Sequence, residues 1–175
     1  MTGSLTAPQT FDAKGRRVVL IAARFNAVLV DQLIDGAKQA WATHGGDPSH
    51  LLVERVPGAF ELPLAAKMFA ASGGVDAVVA LGCVIRGDTP HFEFVAGECA
   101  RGVMDAGLQT GVPVIFGVLT TETQAQAEER ADVARMNKGR ESMEAALEMI
   151  ELLAPPPKSR AAGRPVTRKK KGVRR

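Results

Sequence analysis

The sequence predicts an α/β fold: a three-layer α/β/α sandwich built on a four-stranded parallel sheet. Three observations carry the prediction. Four short apolar runs read as strands, the first continuous enough to be buried on both faces. The stretches between them repeat apolar residues at helical spacing. The joints are short and marked by Gly, Pro and Asn. Strands and helices alternating in this way imply right-handed crossovers and a parallel sheet covered on both sides.

Residues 17–23 (RVVLIAA) form the first run. After Arg24, Phe25 and Asn26, apolar residues recur at Val30, Leu33, Ile34, Ala37 and Trp41, and Gly45 with Gly46 supplies a helix stop. Residues 50–56 are the second strand, Pro57, Gly58 and Ala59 a turn, and residues 61–72 the second helix. Its expected packing face holds Leu64, Ala65, Met68 and Phe69, and Pro63 is tolerated in the first turn. The third strand spans residues 76–85, the next helix residues 90–109 and the fourth strand residues 114–119. Two further helices follow at residues 123–130 and 138–153. The second of these buries Met143, Ala146, Leu147 and Ile150 and is ended by three prolines from Pro155. Trp41, Phe69 and the methionines are expected to pack.

With 175 residues, 46% of them apolar, the chain suits one packed domain. The expected division is a flexible N-terminal segment over residues 1–15, the domain over residues 16–153 and a disordered basic tail over residues 154–175. The formal net charge of +3 hides a segregation. Of the 22 Lys and Arg residues, nine lie after residue 153 with no acid among them, leaving 13 bases against 19 acids, a net of −6, in the rest. The basic balance therefore does not mark the domain as a nucleic-acid binder. The tail is either a solvated extension or an arm that contacts RNA or another polyanion.

Cys83 and Cys99 are the two cysteines. They lack CxxC spacing, so neither a zinc site nor a disulfide framework is implied, and a reducing cytoplasm fits. The first dozen residues have no apolar core of a signal peptide, and no run of 18 apolar residues occurs, so neither export nor membrane spanning is expected.

In a parallel sheet of this kind ligands bind beyond the carboxyl ends of the strands. Four loops are selected: residues 24–26, residues 56–61, residues 86–91 and the segment around residues 116–121. In the third, Asp88 or Thr89 suits an N-cap and Pro90 the first helical turn, so free amides beside Gly87, Arg86 and the Thr89 hydroxyl either cap the helix or seat an oxyanion. His91 falls in that first turn, where the helix dipole favours neutral imidazole. It is either a surface histidine or a general acid and base. Phe25 and Phe60 lie in loops, where they either cover a core edge or stack on a planar heterocycle whose polar edge Glu61 and Asn26 would bond.

The segments ARFN (residues 23–26), VPGAFELP (56–63), ALGCVIRGDTPHFEFVAGE (80–98), PVIFGVLT (113–120) and NKG (137–139) together resemble the lumazine synthase family in content, order and spacing. The resemblance runs over residues 17–153. It implies a flavodoxin-like arrangement of the sandwich, whose sheet could be extended by an N-terminal strand from a neighbouring subunit. The implied reaction is the penultimate step of riboflavin biosynthesis, in which a ribitylaminouracil condenses with 3,4-dihydroxy-2-butanone 4-phosphate without cofactor or metal. Phe25 would stack on the pyrimidine, and Asn26, Gly58, Ala59, Phe60, Glu61, Cys83, Val84 and Ile85 would form its pocket and hold the ribityl chain. Gly87, Asp88 and Thr89 would receive the phosphate together with Arg130, and His91 would move protons.

The resemblance further implies a homopentamer with sites between subunits, so that Phe116, Arg130 and Lys138 complete a neighbour's site. A decamer or a sixty-subunit shell stays open, although residues 131–136 (ADVARM) lack the glycines common in shell formers. Two rival readings remain. One is a non-catalytic lumazine or flavin carrier, against which His91, Arg130 and the phosphate loop argue. The other is a flavodoxin-like electron carrier, disfavoured by the absence of Tyr and the single Trp.

Overall fold

The computed structural model describes residues 10–154. Residues 1–9, within the expected N-terminal segment, and residues 155–175, which are nearly all of the basic tail, lie outside the described residues. Strands β1 (Val18–Ala23), β2 (Leu51–Val56), β3 (Ala77–Ile85) and β4 (Val114–Thr121) form one parallel sheet in the order β2-β1-β3-β4. All six residues of β1 and the first seven of β3 are buried, because these central strands have helices on both faces. The edge strand β2 alternates between half-buried and exposed over its first four residues.

Helices α1 (Ala27–Thr43), α4 (Gln124–Ala131) and α5 (Lys138–Leu153) cover one face, around Leu20, Leu33, Trp41, Leu81, Met143 and Leu147. Helices α2 (Leu62–Ala71) and α3 (His91–Thr110) cover the other, around Val19, Ile21, Leu62, Val78 and Val103. The predicted three-layer α/β/α sandwich is therefore the fold found, and the element boundaries shift by a residue or two at most ends. The fourth strand runs on to Thr121, which brings its carboxyl end level with Ile85 of β3.

The face of the second helix is a correction. Leu62, Ala66 and Ala70 are buried, whereas Leu64 and Met68 are 70% and 62% exposed, and Ala65 and Phe69 only pack at the margin. The segment LPLAAKMFAA has one polar residue, Lys67, so its apolar pattern does not select a face. Close approach does. A Cβ on Gly102 of α3 would meet Pro63 Cβ at 2.7 Å, and small side chains at Ala66 and Ala70 let α2 sit low on the sheet. The methionines divide likewise: Met143 is buried, while Met68, Met104 and Met136 are exposed.

Residues 11–15, placed by the sequence reading with the N-terminal segment, are tied to the body. Ala13 is fully buried, and its N–H donates to the His44 carbonyl at 3.0 Å. The Phe11 N–H donates to His44 Nδ1 at 3.2 Å, and the Asp12 N–H to Glu151 Oε1 at 2.8 Å.

Helices α1 and α5 meet almost backbone to backbone. A Cβ on Gly139 would lie 2.0 Å from the Leu33 carbonyl oxygen, and one on Gly36 would lie 2.1 Å from Asn137 Oδ1. In an exposed helix Gly→Ala stabilises by up to about 1 kcal/mol. Here overpacking reverses the sign, so Gly139→Ala is expected to destabilise by about 1–3 kcal/mol. A lowered urea midpoint with unchanged slope is the expected readout, and a raised midpoint would contradict the packing.

Candidate active site

The chain enters α1 through Asn26, whose backbone is left-handed (φ 57°, ψ 41°), a conformation Asn accepts more readily than most residues. Its side-chain Nδ2 donates to the Cys83 carbonyl at 2.9 Å and so ties the end of β1 to β3. The Arg24 and Phe25 amides donate to the Val56 and Pro57 carbonyls at 2.8 and 3.1 Å, which joins the same point to the end of β2. The Phe25 ring is left 71% exposed.

After β2 a 3-10 turn, Ala59–Glu61, leads into α2. The Gly58 N–H donates to Glu61 Oε2 at 2.8 Å, so the carboxylate is held against its own loop. Ala59 is buried, while Phe60 is 59% exposed. Val84 and Ile85 end β3 half-buried, and Cys83 just before them is buried. The first three strand ends therefore gather two free aromatic rings and one carboxylate around a partly apolar floor.

The loop after β3 continues the gathering. Gly87, Asp88, Thr89 and Pro90 are exposed, and α3 starts at His91, itself exposed. Neither Asp88 nor Thr89 is the N-cap. Pro90 occupies that position and offers no side-chain bond, so the start of α3 is uncapped. Among the described residues the amides of Gly87, Asp88 and Thr89 donate to no backbone carbonyl. Unpaired N–H groups in a loop that leads into a helix N-terminus are suited to an anion.

Arg86, expected to add positive charge for an oxyanion, is engaged elsewhere. Its guanidinium bonds Glu93 and Glu122, and it lies 4.2 Å from the centroid of the Phe92 ring.

Phe116, Arg130 and Lys138 stand apart from this gathering. They line a groove of about 400 Å³ between β4 and α5, together with Thr120, Glu141 and Ser142. The lining takes nothing from the loops after β1, β2 or β3. Arg130 donates through Nη1 to the Gln126 carbonyl at 2.9 Å, and Lys138 Nζ bonds Glu141 Oε2 at 2.5 Å. Within one chain the predicted site residues thus fall into two groups on different flanks. The sequence reading missed Glu141. Its spacing of three residues from Lys138 on one helix was the available signal.

Among the described residues no group of three or more His, Cys, Asp or Glu side chains is placed to hold a metal ion, and no helix is long and apolar enough to cross a membrane. Burial pushes the Cys83 thiol from its ordinary 9.0 up to about 11 and that of Cys99 up to about 12. Both are therefore neutral thiols at physiological pH and poor nucleophiles. Because the folded values are raised, folding retains protons that the unfolded chain loses first, so this part of the stability is present below pH 9 and lost as pH rises above it. Native protein at pH 8 is expected to react with Ellman's reagent at neither thiol and unfolded protein at both. Rapid labelling of native Cys83 would contradict its burial.

The sequence profile of the 6,7-dimethyl-8-ribityllumazine synthase family matches residues 15–154. Two strains of Thermus thermophilus have a curated protein named 6,7-dimethyl-8-ribityllumazine synthase that is 55% identical over 141 residues, covering 81% of this chain and 90% of the relative. A protein of the same name from Halorhodospira halophila is 50% identical over 149 residues, covering 85% and 96%.

Proposed function

The chain belongs to the 6,7-dimethyl-8-ribityllumazine synthase family of riboflavin biosynthesis, and from that membership we propose that it condenses 5-amino-6-(D-ribitylamino)uracil with 3,4-dihydroxy-2-butanone 4-phosphate, releasing inorganic phosphate and water. The observation that carries the reading is the convergence of Phe25, Asn26, Phe60, Glu61 and the uncapped 87–91 loop past the ends of three neighbouring strands. It pairs an exposed aromatic shelf with a seat of free amides, the two chemistries that a heterocycle and a phosphate ester require.

In this proposal Phe25 stacks on the pyrimidine. Asn26, Gly58, Ala59, Phe60, Cys83, Val84 and Ile85 enclose it, and Glu61 turns from the Gly58 amide to the ribityl hydroxyls. The amides of Gly87, Asp88 and Thr89 and the Thr89 hydroxyl hold the phosphate. The 5-amino group attacks the ketone and water leaves to give an imine. Inorganic phosphate is then eliminated, and ring closure expels a second water. His91 takes and returns protons in these steps, and Arg130 stabilises the departing phosphate. Holding two substrates together supplies much of the acceleration. Cytoplasmic location and the absence of a cofactor belong to the same proposal.

The groove with Phe116, Arg130 and Lys138 serves the neighbouring subunit's site, in a homopentamer. Supporting this is apolar surface that one chain leaves uncovered: Leu64 and Met68 on α2 and Phe94, Met104 and Leu108 on α3 are each more than 60% exposed. The expected mass in solution is five times the 18.5 kDa chain or a multiple of that. A single-chain mass would overturn the assembly.

Mixing the protein with both substrates should release fluorescent lumazine and free phosphate together, and silence in both channels would favour a ligand carrier. His91→Ala should lower kcat by about 10²-fold while sparing pyrimidine binding. Arg130→Ala should chiefly raise KM for the phosphate substrate. Refolding these two variants together should give more activity at subsaturating keto-phosphate than either alone, since some mixed interfaces then carry both His91 and Arg130. No recovery would place both residues in the same subunit's site.

A further inference from the structure

The loop carrying Gly87, Asp88 and Thr89 is fastened at its root. Arg86 bonds Glu93, in the first turn of α3, and donates through Nε to Glu122, just past β4, at 2.5 Å. Its backbone N–H donates to the Thr121 carbonyl at 2.9 Å, and the Phe92 ring lies beneath the guanidinium. One planar group thereby joins the end of β3, the start of α3 and the end of β4. Arginine can do this because its fork carries five N–H donors in fixed directions; a lysine ammonium is a point charge on a flexible stem. The pairing holds the Glu93 carboxyl below the usual carboxylate range and raises Arg86 further, so each stays charged.

Two carboxylates beside a seat for a dianion would repel it unless compensated. We propose that Arg86 is a positioning residue for the phosphate-bearing substrate: it offsets one of the two negative charges of Glu93 and Glu122 and fixes the root of the 87–89 loop, and its neighbours, not the guanidinium, hold the phosphate. The inference rests on the phosphate-seat reading above. It assigns Arg86 an electrostatic duty exercised through its neighbours, with the binding itself left to backbone amides and Arg130.

Inorganic phosphate is the probe, titrated calorimetrically into the assembled protein and used as an inhibitor competing with the keto-phosphate. Arg86→Gln should weaken phosphate about tenfold and raise KM for the keto-phosphate, with kcat at saturation and pyrimidine affinity changed less than about twofold. Adding Glu93→Gln and Glu122→Gln to Arg86→Gln should bring phosphate affinity back to within about threefold of wild type, because the uncompensated charges are then gone. A merely structural brace would not be rescued by removing its remaining partners. Unchanged phosphate affinity in Arg86→Gln, or a triple variant no better than the single one, would overturn the proposal. Wild-type protein that takes up no phosphate would overturn the seat itself, and that result is distinct because it appears before any substitution.

Discussion

The placement of every candidate residue follows from a reversal of direction between β1 and β3. From β1 the chain travels over one face, through α1, to β2 at one edge. It then crosses the other face through α2 and enters β3 on the opposite side of β1. Right-handed crossovers require the two helices to lie on opposite faces. The loops leaving β1 and β3 therefore diverge, and a crevice opens past the ends of these strands. Asn26 spans it: a left-handed backbone turns the chain into α1 while the amide group reaches the Cys83 carbonyl. An aspartate could not donate that bond, and a glycine could adopt the turn without making it.

Where burial alone decides residue type, the sequence was legible. The two central strands are apolar throughout because helices cover both their faces, and α5 declares its stripe because the rest of its surface is charged. Helix α2 was misread because it is apolar nearly all round. Its pattern describes two surfaces at once, the alanine face against the sheet and the Leu64 and Met68 face turned outward. Those outward side chains are unexplained within one chain, and the proposed homopentamer would cover them.

The candidate site was legible to a similar depth. Strand ends can be located by counting, so the loops after β1, β2 and β3 were placed at the carboxyl ends of neighbouring strands, where they lie, whereas the segment around residues 116–121 lines a separate groove. Pairing between side chains far apart in sequence leaves no local trace. Arg86 was read as a free charge because Glu122, 36 residues later, gives no sign of facing it. The N-cap was misplaced by one or two residues because Asp88 and Thr89 have the side chains that usually cap, whereas the chain uses Pro90 and leaves both residues exposed. The division of the site residues between two flanks is also invisible to spacing, since strand order in space differs from strand order in sequence.

A domain with 13 bases against 19 acids before its tail has little long-range attraction for an anion. Any phosphate it accepts must be held by local means. Guanidinium groups near carboxylates are neutralised by them, as Arg86 is by Glu93 and Glu122. Backbone amides at a helix start carry a partial positive charge that no nearby acid can titrate away. A seat built from amides therefore keeps its own partial charge in acidic surroundings, while carboxylates left unpaired beside it would still repel the dianion. It also leaves the charged side chains free for tasks that require them to be paired.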